Sequence, residues 1–269
     1  MNNIIEIKNL NYSYRNNLVF EKFNLEIKEG SFVSILGANG AGKTTLVRLL
    51  SGLLKNNDTI YINNTVFNKR NLRELRKDTS IVFDNAEFCF VSETVKDELA
   101  FTLENLQYEK DEIQKRVLDI AHKFKINTLL DVEPHRLSGG QMQKVALASA
   151  LVQNPKILIL DEALSMIDPY DKEEIMSIIN KYHKENNITI INFTSDIEET
   201  LKSDRIVGLY KGKIGIDGNT LSVLKEETSM KSLGLELPFI IELNNKLKEH
   251  NIIDNIEINM EKLVNKIWK

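Results

Sequence analysis

This chain of 269 residues contains a single cysteine, Cys89, which excludes an internal disulfide framework. Nowhere do about 18 apolar residues follow one another, the run a membrane-spanning helix needs. The opening Met1-Asn2-Asn3-Ile4-Ile5-Glu6 has neither the basic start nor the apolar stretch of a signal peptide. The expected location is the cytoplasm, and any work at a membrane requires an anchor on another chain. Positive charge is not in excess either: the formal net charge is −4, so nucleic acid is not the expected partner. Basic pairs such as Lys69-Arg70 and Arg76-Lys77 read as solvated faces. His122, His135, His183 and His250 share no metal-ligand spacing with each other or with Cys89, and read as surface or packing residues. Internal repeats and low-complexity tracts are missing. What remains is an ordinary globular composition, 42% hydrophobic and 28% charged, at a length that suits one large α/β domain or one domain with a small appendage.

The organising stretch runs from Phe32 to Arg48. An apolar run, Phe32 to Leu36, ends in Gly37-Ala38-Asn39-Gly40-Ala41-Gly42-Lys43-Thr44, after which the apolar spacing changes to Leu46, Leu49, Leu50, Leu53. That order is strand, glycine-rich loop, helix, and G-x-x-x-x-G-K-[ST] is the P-loop pattern. Glycines let successive backbone N–H groups turn toward one centre, and the following helix presents its positive end there. Lys43 adds a point charge for the outer phosphates and Thr44 a hydroxyl for Mg²⁺. Asn39, Gly40, Ala41, Gly42, Lys43, Thr44 and Thr45 are therefore the expected phosphate-binding residues. The leucines of the helix, Leu53 included, read as core.

Around this stretch the periodicity predicts alternating strands at Ile5 to Tyr14 and Phe23 to Ile27, then short strands at Thr59 to Ile62 and Ser80 to Phe83. Helical spacing fills Leu72 to Lys77 and then Ser92 to Leu130. The all-apolar Ile157 to Leu160 reads as a central parallel strand. A helix follows Asp168-Pro169, a strand covers Ile188 to Thr194, and a closing hairpin turns around Lys211-Gly212. Strands alternating with helices give an α/β fold with a parallel core. From about Gly218 the chain is polar and helical, with Leu224, Leu233, Leu237, Ile240, Leu243, Leu247 and Trp268.

Two further signals concern the same chemistry. Leu160-Asp161-Glu162 closes an apolar strand with adjacent carboxylates. In P-loop proteins such an Asp helps hold Mg²⁺, so Asp161 joins Thr44 as an expected Mg²⁺ ligand, and Glu162 stands one residue on, where a general base is needed. Leu137-Ser138-Gly139-Gly140-Gln141 opens a helix and forms a second anion-binding turn.

P-loop, LSGGQ and ILILDE in this order resemble the ATP-binding cassette (ABC) family over about Ile4 to Asp217. The resemblance implies a P-loop NTPase cassette, with a parallel core sheet, N-terminal antiparallel strands and a helical subdomain at about 88–153, spanning 1–217. Residues 218–269 then form a small helical extension, whose leucine spacing suits packing on its own domain as well as the joining of two ATPase chains that a narrower resemblance to energy-coupling-factor ATPases implies. The ABC resemblance further implies a head-to-tail dimer in which one chain's P-loop and the partner's Ser138, Gly139, Gly140 and Gln141 enclose each ATP. Tyr14 matches the aromatic that stacks on adenine, with Tyr12 a rival. Ser165-Met166-Ile167-Asp168 matches the loop that touches the partner cassette, and Glu162 the catalytic glutamate. Phe90 to Leu106, Glu133 to Val152, Asp161 to Pro169 and the LPFIIELNNKLKEHNI tail are similar to ATPase subunits of energy-coupling-factor (ECF) transporters. Those work on the cytoplasmic face of the membrane with a scaffold subunit and a substrate-binding subunit, importing vitamins or transition-metal ions. An ATPase of an ordinary ABC transporter, or a soluble cassette protein that clamps nucleic acid or the ribosome, shares the same core motifs.

At two positions the chain departs from the family. Where the family places a Gln before the helical insert, Phe83 is followed by Asp84, and where it places a His, Thr194 is followed by Ser195. Both positions belong to the catalytic set with Glu162. Their replacement predicts a half-site that binds MgATP and hydrolyses it slowly, paired in a heterodimer with a different ATPase chain.

Overall fold

In the computed structural model, which describes residues 2–226, 230, 234 and 236–268, two sheets sandwich the helix that follows the P-loop. Buried Phe23, Leu25 and Ile27 alternate with exposed Asn24, Glu26 and Lys28, the pattern that lets a strand bury one face. Strand β1 (Asn3–Tyr14) pairs with β2 (Asn17–Lys28) in an antiparallel hairpin closed by Tyr14 opposite Asn17. β3 (Phe32–Leu36) belongs to the second sheet, and β4 (Ile60–Ile62) and β5 (Thr65–Val66) complete the first in the order β2-β1-β4-β5. The two-residue β5 has no periodicity of its own and was not legible in the sequence.

The second sheet adds β6 (Thr79–Phe83), β7 (Ile157–Asp161), β8 (Thr189–Thr194), β9 (Arg205–Tyr210) and β10 (Lys213–Asn219), in the order β10-β9-β3-β8-β7-β6. Its pairings are parallel except for the β9–β10 hairpin. Every residue of β7 and β8 is buried, as expected for strands covered on both sides. Period-two alternation sorts them: Ile157, Ile159, Ile191 and Phe193 pack with helix α1 (Lys43–Leu50) and the first sheet, whereas Leu158, Leu160 and Ile190 pack with the helices opposite. Asp161 has the parity of Ile157 and Ile159, which places it on the α1 side.

After α2 (Leu72–Lys77), helices α3 (Val95–Asn105), α4 (Lys110–Lys123) and α5 (Gly139–Leu151) share one core, with Leu99, Leu103, Val117, Ile120, Val145 and Leu147 buried together. Helix α6 (Pro169–Asn186) seals that core through Ile175 and Ile179. Buried His183 packs edge-on against Phe32, its Nδ1 2.7 Å from the carbonyl of Ile188.

Leu53 departs from the expectation that it is core: it is 63% exposed. α1 ends at Leu50, and Gly52 turns the chain at φ 74° before the fourth leucine can reach the core face. Leu53 instead lines a cleft of about 680 Å³ with Phe67, Arg73 and Leu106. The extension carries α7 (Thr220–Leu224), α8 (Phe239–Glu249) and α9 (Met260–Ile267). Leu224, Leu237, Ile240, Leu243 and Leu247 pack around Leu36 and Ile206 of the sheet, so these residues serve the chain's own core. Leu233 lies outside the described residues. Phe239, Ile252, Met260, Val264 and Trp268 stay exposed on the same extension.

Candidate nucleotide site

Register brings the expected site residues together. Leu36 pairs with Thr194, Phe193 with Asp161, and Asp161 with Phe83. The residues that follow these strand ends, Gly37, Ser195, Glu162 and Asp84, therefore line one edge of the parallel sheet at its carboxyl ends, where open α/β sheets bind ligands. Sequence separations of more than a hundred residues disappear in this row.

Lys43 lies at its centre and is almost fully buried. Its Nζ donates to the carbonyl of Gly37, lies 3.4 Å from that of Ala38, and is 3.2 Å from Glu162 Oε1. Three oxygens thus hold the ammonium where phosphate oxygens are expected. Glu162 Oε2 accepts hydrogen bonds from both the backbone N–H and the hydroxyl of Ser195, each at 3.2 Å. Glu162 leaves β7 at φ 49°, a left-handed conformation, while its N–H still donates to the Phe193 carbonyl at 2.9 Å.

Asp161 is 8% exposed, and its Oδ1 has no hydrogen-bond partner among the described residues. Burial first, then the neighbouring Glu162 and Asp84 charges, push its carboxyl up from 3.8 to about 6, against the opposing pull of Lys43 and Arg48. A buried oxygen without a partner among the described residues, next to the Glu162 and Asp84 charges, fits a hard divalent cation with oxygen ligands, and the exposed Thr44 in the first turn of α1 offers a hydroxyl. Asp161 and Thr44 are the residues that would hold Mg²⁺, which when bound would neutralise phosphate charge there.

The loop above Lys43 is shaped from behind. Gly42 caps α1 at φ 113° with no side-chain cap, so no capping side chain takes up the first-turn N–H groups. A Cβ on Gly42 would come within 3.1 Å of Phe20, and one on Gly37 within 2.6 Å of the Leu209 carbonyl, so both glycines are demanded by packing. Gly40, at φ 82°, faces open space together with exposed Asn39. Ala41 is buried, and its carbonyl accepts from Gly212 N–H at 2.9 Å. Gly212 itself, at φ 73°, would bring a Cβ to 1.7 Å from the Val19 carbonyl. Gly212→Ala is therefore expected to cost at least about 2 kcal/mol, measured as a lower urea midpoint, and to weaken nucleotide binding by shifting Ala41.

In the LSGGQ turn Ser138 and Gly139 are exposed, and Gly140 and Gln141 are half-buried. Ser138 caps α5 through a reciprocal box: its hydroxyl accepts from Gln141 N–H at 3.3 Å, and Gln141 Oε1 accepts from Ser138 N–H at 3.0 Å. A Cβ on Gly139 would meet nothing, so its backbone is open to a partner, whereas Gly140 is backed by Asp171 Oδ2 at 2.6 Å. No hydrogen bond or ion pair among the described residues joins this turn to residues 37–45. Met166, 82% exposed, projects from the neighbouring loop and exposed Tyr170 from the first turn of α6, which Asp168 caps by accepting from Tyr170 and Asp171 N–H. Of the rival tyrosines, Tyr14 is the exposed one at the end of β1, and Tyr12 packs edge-on beneath it with ring centroids 5.1 Å apart.

The ABC transporter family model matches residues 20–165, from β2 through the P-loop, the LSGGQ turn and the Asp161-Glu162 pair. The ECF transporter ATP-binding protein EcfA of Pediococcus pentosaceus is 39% identical over 265 residues, covering 97% of this chain and 95% of that protein. EcfA1 of Bacillus subtilis is 34% identical, covering 99% and 97%. The chain belongs to the ABC transporter family, as an ECF-type ATPase. Among solved structures, CbiO1 of Clostridium perfringens, described as part of the ABC transporter complex CbiONQ, matches with a TM-score of 0.79 and 33% identity over 90% of this chain and 99% of that one. An ABC ATPase binds ATP and couples its hydrolysis to transport, and the α/β cassette described above is the fold of that family. No helix among the described residues is long and apolar enough to cross a membrane.

Sequence reasoning missed several supports of this ABC site. Gln143, buried in α5, donates to the Phe83 carbonyl at 3.3 Å and so ties the LSGGQ helix to the strand before Asp84. Its position two residues after the motif, in a helix that continues with apolar Val145, Leu147 and Ala148, was the available signal. Asp171 behind Gly140 and Leu209 behind Gly37 come from distant segments and left no local sign.

Proposed function

We propose that this chain is the ATP-binding subunit of an ECF-type importer, working at the cytoplasmic face of the membrane with a scaffold subunit and a substrate-binding subunit to take up a vitamin or a metal ion. Lys43, the first-turn N–H groups of α1 and Asn39 to Thr45 bind ATP, Asp161 and Thr44 hold Mg²⁺, Tyr14 stacks on the base, and Ser138 to Gln141 complete the site on a partner cassette. Glu162 is the general base. The extension, residues 218–269, helps hold two ATPase chains together, and exposed Trp268, Val264 and Met260 on α9 suit that contact. Domain limits at 1–217 and 218–269 follow from the change of composition near Gly218.

The observation that carries the finer reading is the pair flanking Glu162: Asp84 beyond β6 and Ser195 beyond β8. Neither offers the amide or imidazole that would meet the outer phosphate, and Asp84 adds negative charge beside Asp161. Loss of one such transition-state contact typically costs about a hundredfold in rate. The half-site on this P-loop is accordingly slow, and the chain works in a heterodimer whose other site uses this chain's intact LSGGQ.

The test is the ATPase rate of this chain alone and mixed with the second ATPase of its operating complex. The mixed pair is expected to be at least about tenfold faster, and Asp84→Gln with Ser195→His is expected to raise the rate of this chain alone by a similar factor. Equal rates for the single chain and the pair would overturn the asymmetry.

A further inference from the structure

Two groups compete to hold Glu162, and they hold different oxygens. Lys43 Nζ is 3.2 Å from Oε1, while the N–H and the hydroxyl of Ser195 both reach Oε2 at 3.2 Å. Lys43 is also the group that incoming phosphates need, and with its other N–H donors turned to the Gly37 and Ala38 carbonyls, the donor facing Glu162 is the one a phosphate competes for. Ser195 has no such competing duty: it follows β8, whose neighbours β3 and β7 fix it from both sides.

Building on the reading of Glu162 as general base, we propose that Ser195 is its positioning residue and that Lys43 and Ser195 together form a two-sided latch. In the empty site Glu162 occupies Lys43 in place of phosphate. Nucleotide binding draws Nζ to the phosphates and releases Oε1, which becomes the free oxygen of the base. Oε2 stays fastened to Ser195, so the carboxylate does not swing away when its ion pair breaks. The serine at this position is thus a working contact and not merely a missing imidazole. The left-handed backbone of Glu162 adds to the fixing, because it leaves the side chain a narrow approach from the strand end.

The experiment uses the full chain with Ser195→Ala, Ser195→Thr, Glu162→Gln and Glu162→Ala, read by MgATP hydrolysis, by ADP affinity without Mg²⁺, and by thermal melts without nucleotide, the melts comparing the parent with the Glu162→Ala background. Ser195→Ala keeps the N–H and removes the hydroxyl. It is expected to lower kcat roughly tenfold with KM changed less than about twofold, and Ser195→Thr is expected to restore kcat to within about threefold. ADP is expected to bind Ser195→Ala at least as tightly as the parent, since a loosened Glu162 competes less well for Lys43. In the melts, Ser195→Ala should lower the midpoint by about 2–4 °C in the parent and not at all in the Glu162→Ala background, which has no acceptor left for the hydroxyl. An unchanged or higher kcat in Ser195→Ala, or the same melting shift in both backgrounds, would overturn the latch. Hydrolysis at the parent rate by Glu162→Gln would instead sink the assignment of the base, and the melting comparison alone would then decide whether Ser195 holds this side chain.

Discussion

Asp161→Asn is expected to stabilise the nucleotide-free protein at pH 7 and to abolish its response to Mg²⁺. Asp161 is buried, its Oδ1 has no hydrogen-bond partner among the described residues, and its carboxyl is raised from 3.8 to about 6. For an acid with a raised folded-state value, the ionised form is penalised by folding. The penalty is absent below the unfolded value of 3.8, grows as pH rises toward about 6, and is complete above it. At 1.36 kcal/mol for each unit, the shift corresponds to at most about 3 kcal/mol at pH 7. The empty parent should therefore gain stability as pH falls from 7 to 4 through this group, and the asparagine variant should lose that part of the pH response. Urea melts at pH 7 and pH 5 check the sign. In the presence of MgATP the order should reverse, because the parent gains about 2.7 kcal/mol at a hundred times its Kd and the variant gains little. A variant less stable than the parent at pH 7, or one equally protected by MgATP, would contradict the reading of Asp161 as a strained cation ligand.

Lys43→Ala is the second large effect. Its ammonium is buried under the Gly37 and Ala38 carbonyls and paired with Glu162, and Lys43 is the single Lys or Arg within residues 37–45. Charge-assisted hydrogen bonds of about 1.5–3 kcal/mol each would be lost to the phosphates, so ATP affinity should fall at least about a hundredfold. Fluorescence titration with a labelled ATP analogue measures it. The loss should be smaller for ADP, which has one fewer phosphate within reach. Undiminished affinity would mean that the nucleotide sits elsewhere.

How legible the site was depended on whether its parts are local in the chain. The P-loop, α2 at Leu72 to Lys77 and the apolar β7 could be read directly, because each carries its own periodicity and its own turn residues. The position of Leu53 could not, since helical spacing continues past the point where Gly52 ends the helix. The Ser195–Glu162 contact joins segments separated by 33 residues and depends on the register between β7 and β8. Motif comparison marks Ser195 as a departure; only the fold brings its hydroxyl to the carboxylate. Likewise, spacing identified the tail leucines as a packing face without telling which body they pack on, and they pack on Leu36 and Ile206.

That last arrangement has a wider bearing. Leu36 ends the strand that leads directly into Gly37, and it is buried by residues from the far end of the chain. The catalytic cassette and its appendage are consequently not separable modules. Exchanging ATPases between importers, by recombination or by design, must move both as one inheritance, because a cassette cut off near Gly218 would uncover the hinge of its own fuel-binding loop.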